Sequence, residues 1–125
     1  MSLLLDTRVL IMWLGASTRL SPRFMSRVAS GSEGVSASAA SLFEIEFKRT
    51  AGKLSCPDDL QDQLEKAAIK ILPITADHAV AAGRLPLHHA DPFDRLIIAQ
   101  ARAERLIIAT TDERFRAYGV DLLMA

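Results

Sequence analysis

Short apolar segments alternate along the chain with longer segments in which apolar residues recur every three or four positions. Residues 3–5 are all leucine, a run too short for a helix of its own, and they predict a buried strand. The segment 106–109 predicts the clearest strand, and weaker candidates lie at 35–37, 71–74 and 120–123. The 71–74 strand is predicted at a sheet edge, because Pro73 has no N–H to donate to a neighbouring strand.

Other segments have the period of an amphipathic helix, or carry the residues that begin and end one. Pro22 stands at the first position of the second helix. Glycines mark the ends of four others, at positions 15, 52, 83 and 119. The predicted helices cover 7–14, a segment that begins at 22, 41–50, 58–70, 76–82, 92–105 and 113–118. The polar stretch 29–34 predicts a loop inside the domain.

The predicted strands are apolar throughout instead of alternating between apolar and polar residues. Such strands are typical of a parallel sheet that helices cover on both faces. The pattern therefore predicts an α/β fold, a three-layer α/β/α sandwich with a mainly parallel sheet. The chain has 125 residues, which is enough to form a substantial core, so we expect one domain over 1–125.

Composition narrows the classes of function. Fifteen basic residues balance fifteen acidic ones, which excludes a protein that holds nucleic acid by its overall charge. Cys56 is the single cysteine, so neither a disulfide framework nor a zinc–thiolate cluster is expected. Asp6 and Arg8 interrupt the first apolar segment, which argues against a signal peptide or a membrane span. We expect a cytoplasmic protein that does not associate with a membrane.

Four acidic residues are predicted at the edge of the sheet where parallel strands end. Asp6 and Asp112 follow the first and fourth strands, while Glu44 and Asp94 are expected in the first turns of two helices that start at that edge. Carboxylates brought so close together repel one another, and a divalent cation removes that repulsion. Oxygen ligands without cysteine or paired histidines suit Mg²⁺ or Mn²⁺. Such an ion can activate a water molecule and neutralise charge on a phosphodiester.

Three of the four acids, all except Asp6, also have a structural interpretation. Ser41 and Glu44 have the spacing of a capping box, and Glu44 can pair with Lys48 one turn later. Asp91 is expected to cap the helix that contains Asp94, which the helix dipole favours near that end. Asp112 can cap the 113–118 helix in the same way. The conjunction of the four acids, more than any one of them, favours a metal site.

The sequence around these acids resembles PIN-domain proteins of the VapC toxin type, over nearly the whole chain and in the same order. The first matching segment is Leu4-Leu5-Asp6-Thr7, and the second includes Ser41, Glu44-Ile45, Lys48 and Gly52-Lys53-Leu54. The third and most specific is Asp91-Pro92-Phe93-Asp94-Arg95-Leu96-Ile97-Ile98-Ala99-Gln100-Ala101, preceded by His88-His89. The fourth comprises Thr110, Asp112, Phe115 and Tyr118.

The resemblance implies a metal-dependent endoribonuclease that a cognate VapB-like antitoxin inhibits. It implies that Asp6, Glu44, Asp94 and Asp112 are both the catalytic residues and the ligands of Mg²⁺ or Mn²⁺, with Thr110 in support. It implies hydrolysis by metal-activated water, RNA as the substrate and a homodimer as the assembly. The alternative is a PIN module that binds nucleic acid or antitoxin, as a co-repressor subunit, without significant cleavage.

Several further residues have open roles. Arg8 stands where close relatives often carry histidine; it can hold substrate phosphate or an acid of the site, or it can be a solvated helix residue. Arg95 can likewise support the site, and it can belong to a basic rim for RNA. The other candidates for this rim, each of which can equally be a solvated surface residue, are Arg19, Arg23, Arg27, Lys48, Arg49 and Lys53. His88 and His89 are not expected to bind metal, because adjacent loop histidines point in different directions. Trp13, Phe43 and Phe47 are expected in the core or a dimer interface.

Overall fold

The computed structural model describes residues 2–30 and 34–125, and its centre is a five-stranded sheet. The strands are β1 (Leu3–Leu5), β2 (Val35–Ser38), β3 (Ile69–Leu72), β4 (Ile107–Thr110) and β5 (Leu122–Met124). Their order is β3-β2-β1-β4-β5, and every neighbouring pair is parallel. All five strands therefore end at the same edge of the sheet.

The helices connect these strands and cover the sheet. They are α1 (Thr7–Leu14), α2 (Pro22–Ser30), α3 (Ala39–Thr50), α4 (Leu60–Lys66), α5 (Ala76–Arg84) and α6 (Pro92–Glu104), followed by a 3₁₀ helix (Glu113–Tyr118). Within the described ranges, no helix has the length and apolar character that a membrane span requires. The predicted loop at 29–34 begins inside α2, and its residues 31–33 lie outside the part described.

Two apolar cores lie on opposite faces of the sheet. Leu3 and Leu5 belong to one core, which also contains Val9, Leu10, Phe24, Ile45 and Leu64. Leu4 belongs to the other, which contains Ile97, Ile98, Ile108 and Phe115. Successive residues of a strand point to opposite faces, so a run of three leucines supplies both cores. The predicted α/β/α sandwich with a parallel sheet is confirmed.

The boundaries between α4 and β3 differ from the prediction. The helix predicted over 58–70 ends at Lys66, because Ala68 adopts a left-handed backbone conformation (φ 58°) and the strand begins at Ile69. The predicted 71–74 strand is therefore placed two residues too late. Its predicted edge position is confirmed, and Pro73 directly follows the strand.

Arg95 is buried in α6 and does not belong to the basic rim that the sequence analysis predicted. Its guanidinium donates a hydrogen bond to the carbonyl oxygen of Gly83 in the last turn of α5. It also donates to the carbonyl oxygens of Leu85, Pro86 and His89 in the segment between α5 and α6. The shortest of these bonds, to Leu85, is 2.7 Å. Arg95 is only 8% exposed, so its guanidinium orders this segment and does not face solvent. The prediction that Arg95 contributes to a basic rim for RNA is therefore wrong.

Replacing Arg95 by methionine is expected to destabilise the fold by about 2–4 kcal/mol, because buried carbonyl oxygens lose their donors. Chemical denaturation monitored by circular dichroism measures this change. Arg102→Met is the matched control, since Arg102 is exposed on the same helix and should shift stability by less than about 0.5 kcal/mol. Equal denaturation midpoints for the two variants would contradict a structural role for Arg95.

Candidate active site

Asp6 joins β1 to α1 and is almost completely buried. One carboxylate oxygen accepts a hydrogen bond from the Val9 amide (2.8 Å) and caps α1, and the other accepts one from the Thr110 hydroxyl. Burial raises the pKa of Asp6 above its usual value, although both hydrogen bonds oppose this effect. Thr110 is the last residue of β4, so the predicted supporting residue does contact a predicted acid.

Glu44 lies in the second turn of α3 and not in the first, because the helix begins at Ala39. The predicted capping box is wrong, since Ser38 caps α3 through the Ala40 amide. The Ser41 hydroxyl is instead 2.8 Å from that of Thr7, a buried contact that joins α3 to α1. The Glu44 carboxylate accepts a hydrogen bond from Lys48 at 2.6 Å, the predicted pair one turn along the helix.

Asp94 lies in the first turn of α6, directly after the cap at Asp91. Both the Phe93 and Asp94 amides donate to the Asp91 carboxylate, so the predicted cap is confirmed. Burial raises the pKa of Asp94 to about 7, and the neighbouring negative charges of Asp91, Asp6, Glu44 and Asp112 contribute. Asp94 therefore carries a full negative charge only at a considerable cost in free energy.

Asp112 begins the 3₁₀ helix after β4 and caps it through the Arg114 amide, as predicted. The guanidinium of Arg114 also donates to both carboxylate oxygens, at 2.7–3.0 Å. These hydrogen bonds lower the pKa of Asp112 to about 2. The environments of Asp94 and Asp112 thus move the two pKa values in opposite directions.

One open cavity of about 450 Å³ brings the four predicted acids together. It is lined by Asp6, Thr7, Arg8, Ile11, Met12, Glu44, Lys48, Asp91, Asp94, Thr111, Asp112 and Arg114. Glu44 and Asp112 each have a basic partner there, whereas Asp6 and Asp94 form no ion pair with lysine or arginine among the described residues. The repulsion in the cavity is therefore only partly neutralised by the protein itself.

His89, which the sequence analysis set aside, is buried beside two of these acids. Its Nε2 atom lies 3.0 Å from Asp94 Oδ2 and 3.4 Å from Asp112 Oδ2. Its neighbour His88 is exposed and packs against the ring of Tyr118. The two histidines point in different directions, as predicted, and the ring of His89 points into the site. The available signal was that His89 stands two residues before the cap of the helix that carries Asp94.

Basic residues at the cavity include two that the sequence analysis singled out. Arg8 is exposed next to Asp6, and Lys48 is paired with Glu44. Arg114 also lines the cavity; the sequence predicts it inside the 113–118 helix, and helical periodicity does not report its contact with Asp112. The aromatic side chains of Phe43 and Phe47 are 53% and 63% exposed, so they do not belong to the core, and their alternative placement in a dimer interface stays a prediction. Trp13 is partly buried against the core.

The donor atoms of the cavity fit a hard divalent cation. Carboxylate oxygens from four separate segments converge without a cysteine, and burial, followed by neighbouring negative charge, raises the pKa values of Asp6 and Asp94. A cation held by Asp6 and Asp94, with Glu44 and Asp112 in reach, would neutralise that charge. When bound, such an ion lowers the pKa of a coordinated water and polarises a phosphodiester.

Solved structures with the same fold include three complexes of known proteins. VapBC2 from Rickettsia felis, bound to a promoter DNA fragment, has a TM-score of 0.73 at 17% identity and covers 98% of both chains. DNA-bound VapBC from Salmonella typhimurium has a TM-score of 0.72 at 17% sequence identity, and the match covers 98% of this chain and 97% of that one. FitAcB from Neisseria gonorrhoeae has a TM-score of 0.69 at 22% sequence identity, and the match covers 98% of this chain and 96% of that one.

The family assignment comes from the sequence. No curated protein is significantly similar to the chain in sequence. The family model for the PIN domain, however, matches residues 3–121, which contain the first four strands and end directly before β5. PIN domains are generally metal-dependent nucleases, in agreement with an acidic cavity at the carboxyl edge of a parallel sheet. The chain belongs to the PIN domain family.

Proposed function

We propose that the chain is a Mg²⁺- or Mn²⁺-dependent endoribonuclease and the toxin component of a VapBC-type toxin–antitoxin module. The observation that carries this proposal is the convergence of four carboxylates in one open cavity, two of them without a lysine or arginine partner among the described residues. The fold shared with VapBC and FitAB complexes supports the toxin–antitoxin setting. The substrate is RNA, and the product of hydrolysis carries a 5′-phosphate.

The four acids of the cavity have different roles in binding the cation. Asp6 and Asp94 are the first ligands, since their charge is least compensated, and the Thr110 hydroxyl fixes the orientation of Asp6. Glu44 and Asp112 complete the donor set or hold the attacking water. Each can do so by giving up its contact with Lys48 or Arg114 in favour of the cation or the water. The released lysine or arginine is then free to bind a phosphate oxygen.

Three basic side chains at the cavity are suited to the substrate. Arg8, Lys48 and Arg114 lie among the acids, and all three are exposed to solvent. A phosphodiester needs positive groups next to the cation, because two repelling anionic surfaces would otherwise meet. The balanced overall charge is therefore compatible with binding of RNA at one local site.

The alternative function is a PIN module that acts mainly by binding nucleic acid or an antitoxin. The exposed rings of Phe43 and Phe47 favour a protein partner, because Phe43 packs edge-on against both Phe47 and Phe93 in one surface cluster. A homodimer and a VapB-like antitoxin are the partners we propose. This surface is compatible with either function, so cleavage itself has to separate them.

The parent protein, purified free of antitoxin, is expected to cleave RNA with Mg²⁺ or Mn²⁺ and not with EDTA. Asp6→Asn and Asp94→Asn should each slow cleavage by about 100-fold or more, a loss of about 3 kcal/mol of transition-state stabilisation. Asp62→Asn, an exposed acid of α4, should cleave at the parent rate. Cleavage that survives both active-site changes would remove this site, and a folded but inactive parent would favour the binding function.

Cation binding is expected to weaken at acid pH, because Asp94 has a pKa of about 7 and must lose its proton to bind a metal. Asp94 is mostly protonated at pH 6 and mostly ionised at pH 8. Calorimetric titration with Mn²⁺ should therefore give an affinity at least about tenfold lower at pH 6. Asp62→Asn should retain this difference. Equal affinities at the two pH values would contradict the role given to Asp94.

Expression of the chain alone is expected to arrest bacterial growth, and co-expression of a small protein encoded beside it should restore growth. The Asp6→Asn variant, made at the same level, should be harmless because cleavage is lost. Growth curves and immunoblots measure both. Normal growth with abundant, active parent protein would count against a toxin while leaving the nuclease unaffected.

A further inference from the structure

His89 is held in place at every backbone polar group. Its N–H donates to the Tyr118 hydroxyl (2.7 Å), and its carbonyl oxygen accepts from Arg95 (3.2 Å). The ring lies against Phe115, with the ring centres 5.5 Å apart, and the residue is 4% exposed. The imidazole therefore has a fixed position and orientation, supplied by three buried side chains from α6 and the 3₁₀ helix.

The hydrogen bond at Nδ1 determines which ring nitrogen carries the proton. The backbone amide of Asp91 donates to Nδ1 at 3.3 Å. An amide nitrogen can only donate, so Nδ1 keeps its lone pair and the proton of the neutral ring is on Nε2. A nitrogen that carries a proton cannot bind a metal, and histidine ligands normally donate from their other nitrogen to an acceptor.

The Nε2–H group points into the acidic cluster. It is close to Oδ2 of both Asp94 and Asp112, but within the part of the chain that is described it forms a complete hydrogen bond with neither. A buried N–H group that lacks an acceptor is unfavourable. One atom each from His89, Asp94 and Asp112 lies within 4.8 Å of the others, so small movements of the carboxylates decide whether the N–H is paired.

We propose that His89 is a positioning residue, whose Nε2–H donates to the facing oxygens of Asp94 and Asp112 and fixes the two carboxylates for a shared cation. This inference rests on the proposed function, because it assumes that a cation binds between the acids. His89 itself is not a ligand, so the donor set consists of oxygen atoms. That set suits Mg²⁺ and Mn²⁺ and gives no advantage to zinc.

Calorimetric titration with Mn²⁺ tests the inference on the parent and on matched variants. His89→Leu removes the donor and should weaken binding about tenfold or more, the usual effect of losing a group that orients a metal ligand. His89→Gln can place an N–H group near the same point and should stay within about threefold of the parent. His88→Leu changes the exposed neighbour and should bind Mn²⁺ like the parent. Parent-like binding by His89→Leu would overturn the proposal.

Nuclear magnetic resonance of the parent, labelled with ¹⁵N-histidine, provides a test that does not depend on how the variants fold. The proton of His89 should be on Nε2 both without and with Mg²⁺. Transfer of this proton to Nδ1 on addition of Mg²⁺ would make His89 a ligand and overturn the proposal. If the parent binds neither Mn²⁺ nor Mg²⁺, the proposed function fails too. If the parent binds and Asp94→Asn does not, failure at His89 leaves the nuclease site intact.

Discussion

Electrostatic repulsion among carboxylates at one edge of the sheet is the constraint on which the site depends. The parallel topology delivers Asp6 and Asp112 from neighbouring strands, and the helices after β2 and before β4 add Glu44 and Asp94. The fold tolerates this by pairing two acids with basic side chains and leaving two with raised pKa values. The molecule thus holds a binding site for positive charge at the expense of its own stability.

The segment between α5 and α6 links the core to this site. Arg95 donates to three of its carbonyl oxygens, and the Tyr118 hydroxyl accepts from the His89 amide and donates to the Pro86 carbonyl. Both side chains are buried, so they join this segment to the packed elements beneath it. Arg95 has no carboxylate partner within the described ranges, which is normally costly for a buried arginine, and here the carbonyl dipoles compensate for its charge. The position of His89 at the acidic cavity therefore depends on side chains that are anchored in the core.

The sequence was sufficient for the architecture and for the four acids, because both follow from local rules. Apolar runs such as residues 3–5 predict buried parallel strands, and strand ends in such a sheet share one edge. Helix boundaries near Ala68 and Ser38 depended on local backbone conformation that periodicity does not report. The position of His89 in the site and the burial of Arg95 could not be predicted, because they come from contacts with Asp112, Tyr118 and carbonyl groups that only the folded chain brings near.

In the proposed site, acidic residues that are distant in sequence share one cation. Crystals of the protein soaked in MnCl₂ allow that ion to be located by its anomalous scattering. A strong peak is expected in the cavity, within coordination distance of the carboxylates of both Asp6 and Asp94. An empty cavity at saturating Mn²⁺, or a peak held by acids elsewhere on the surface, would contradict it.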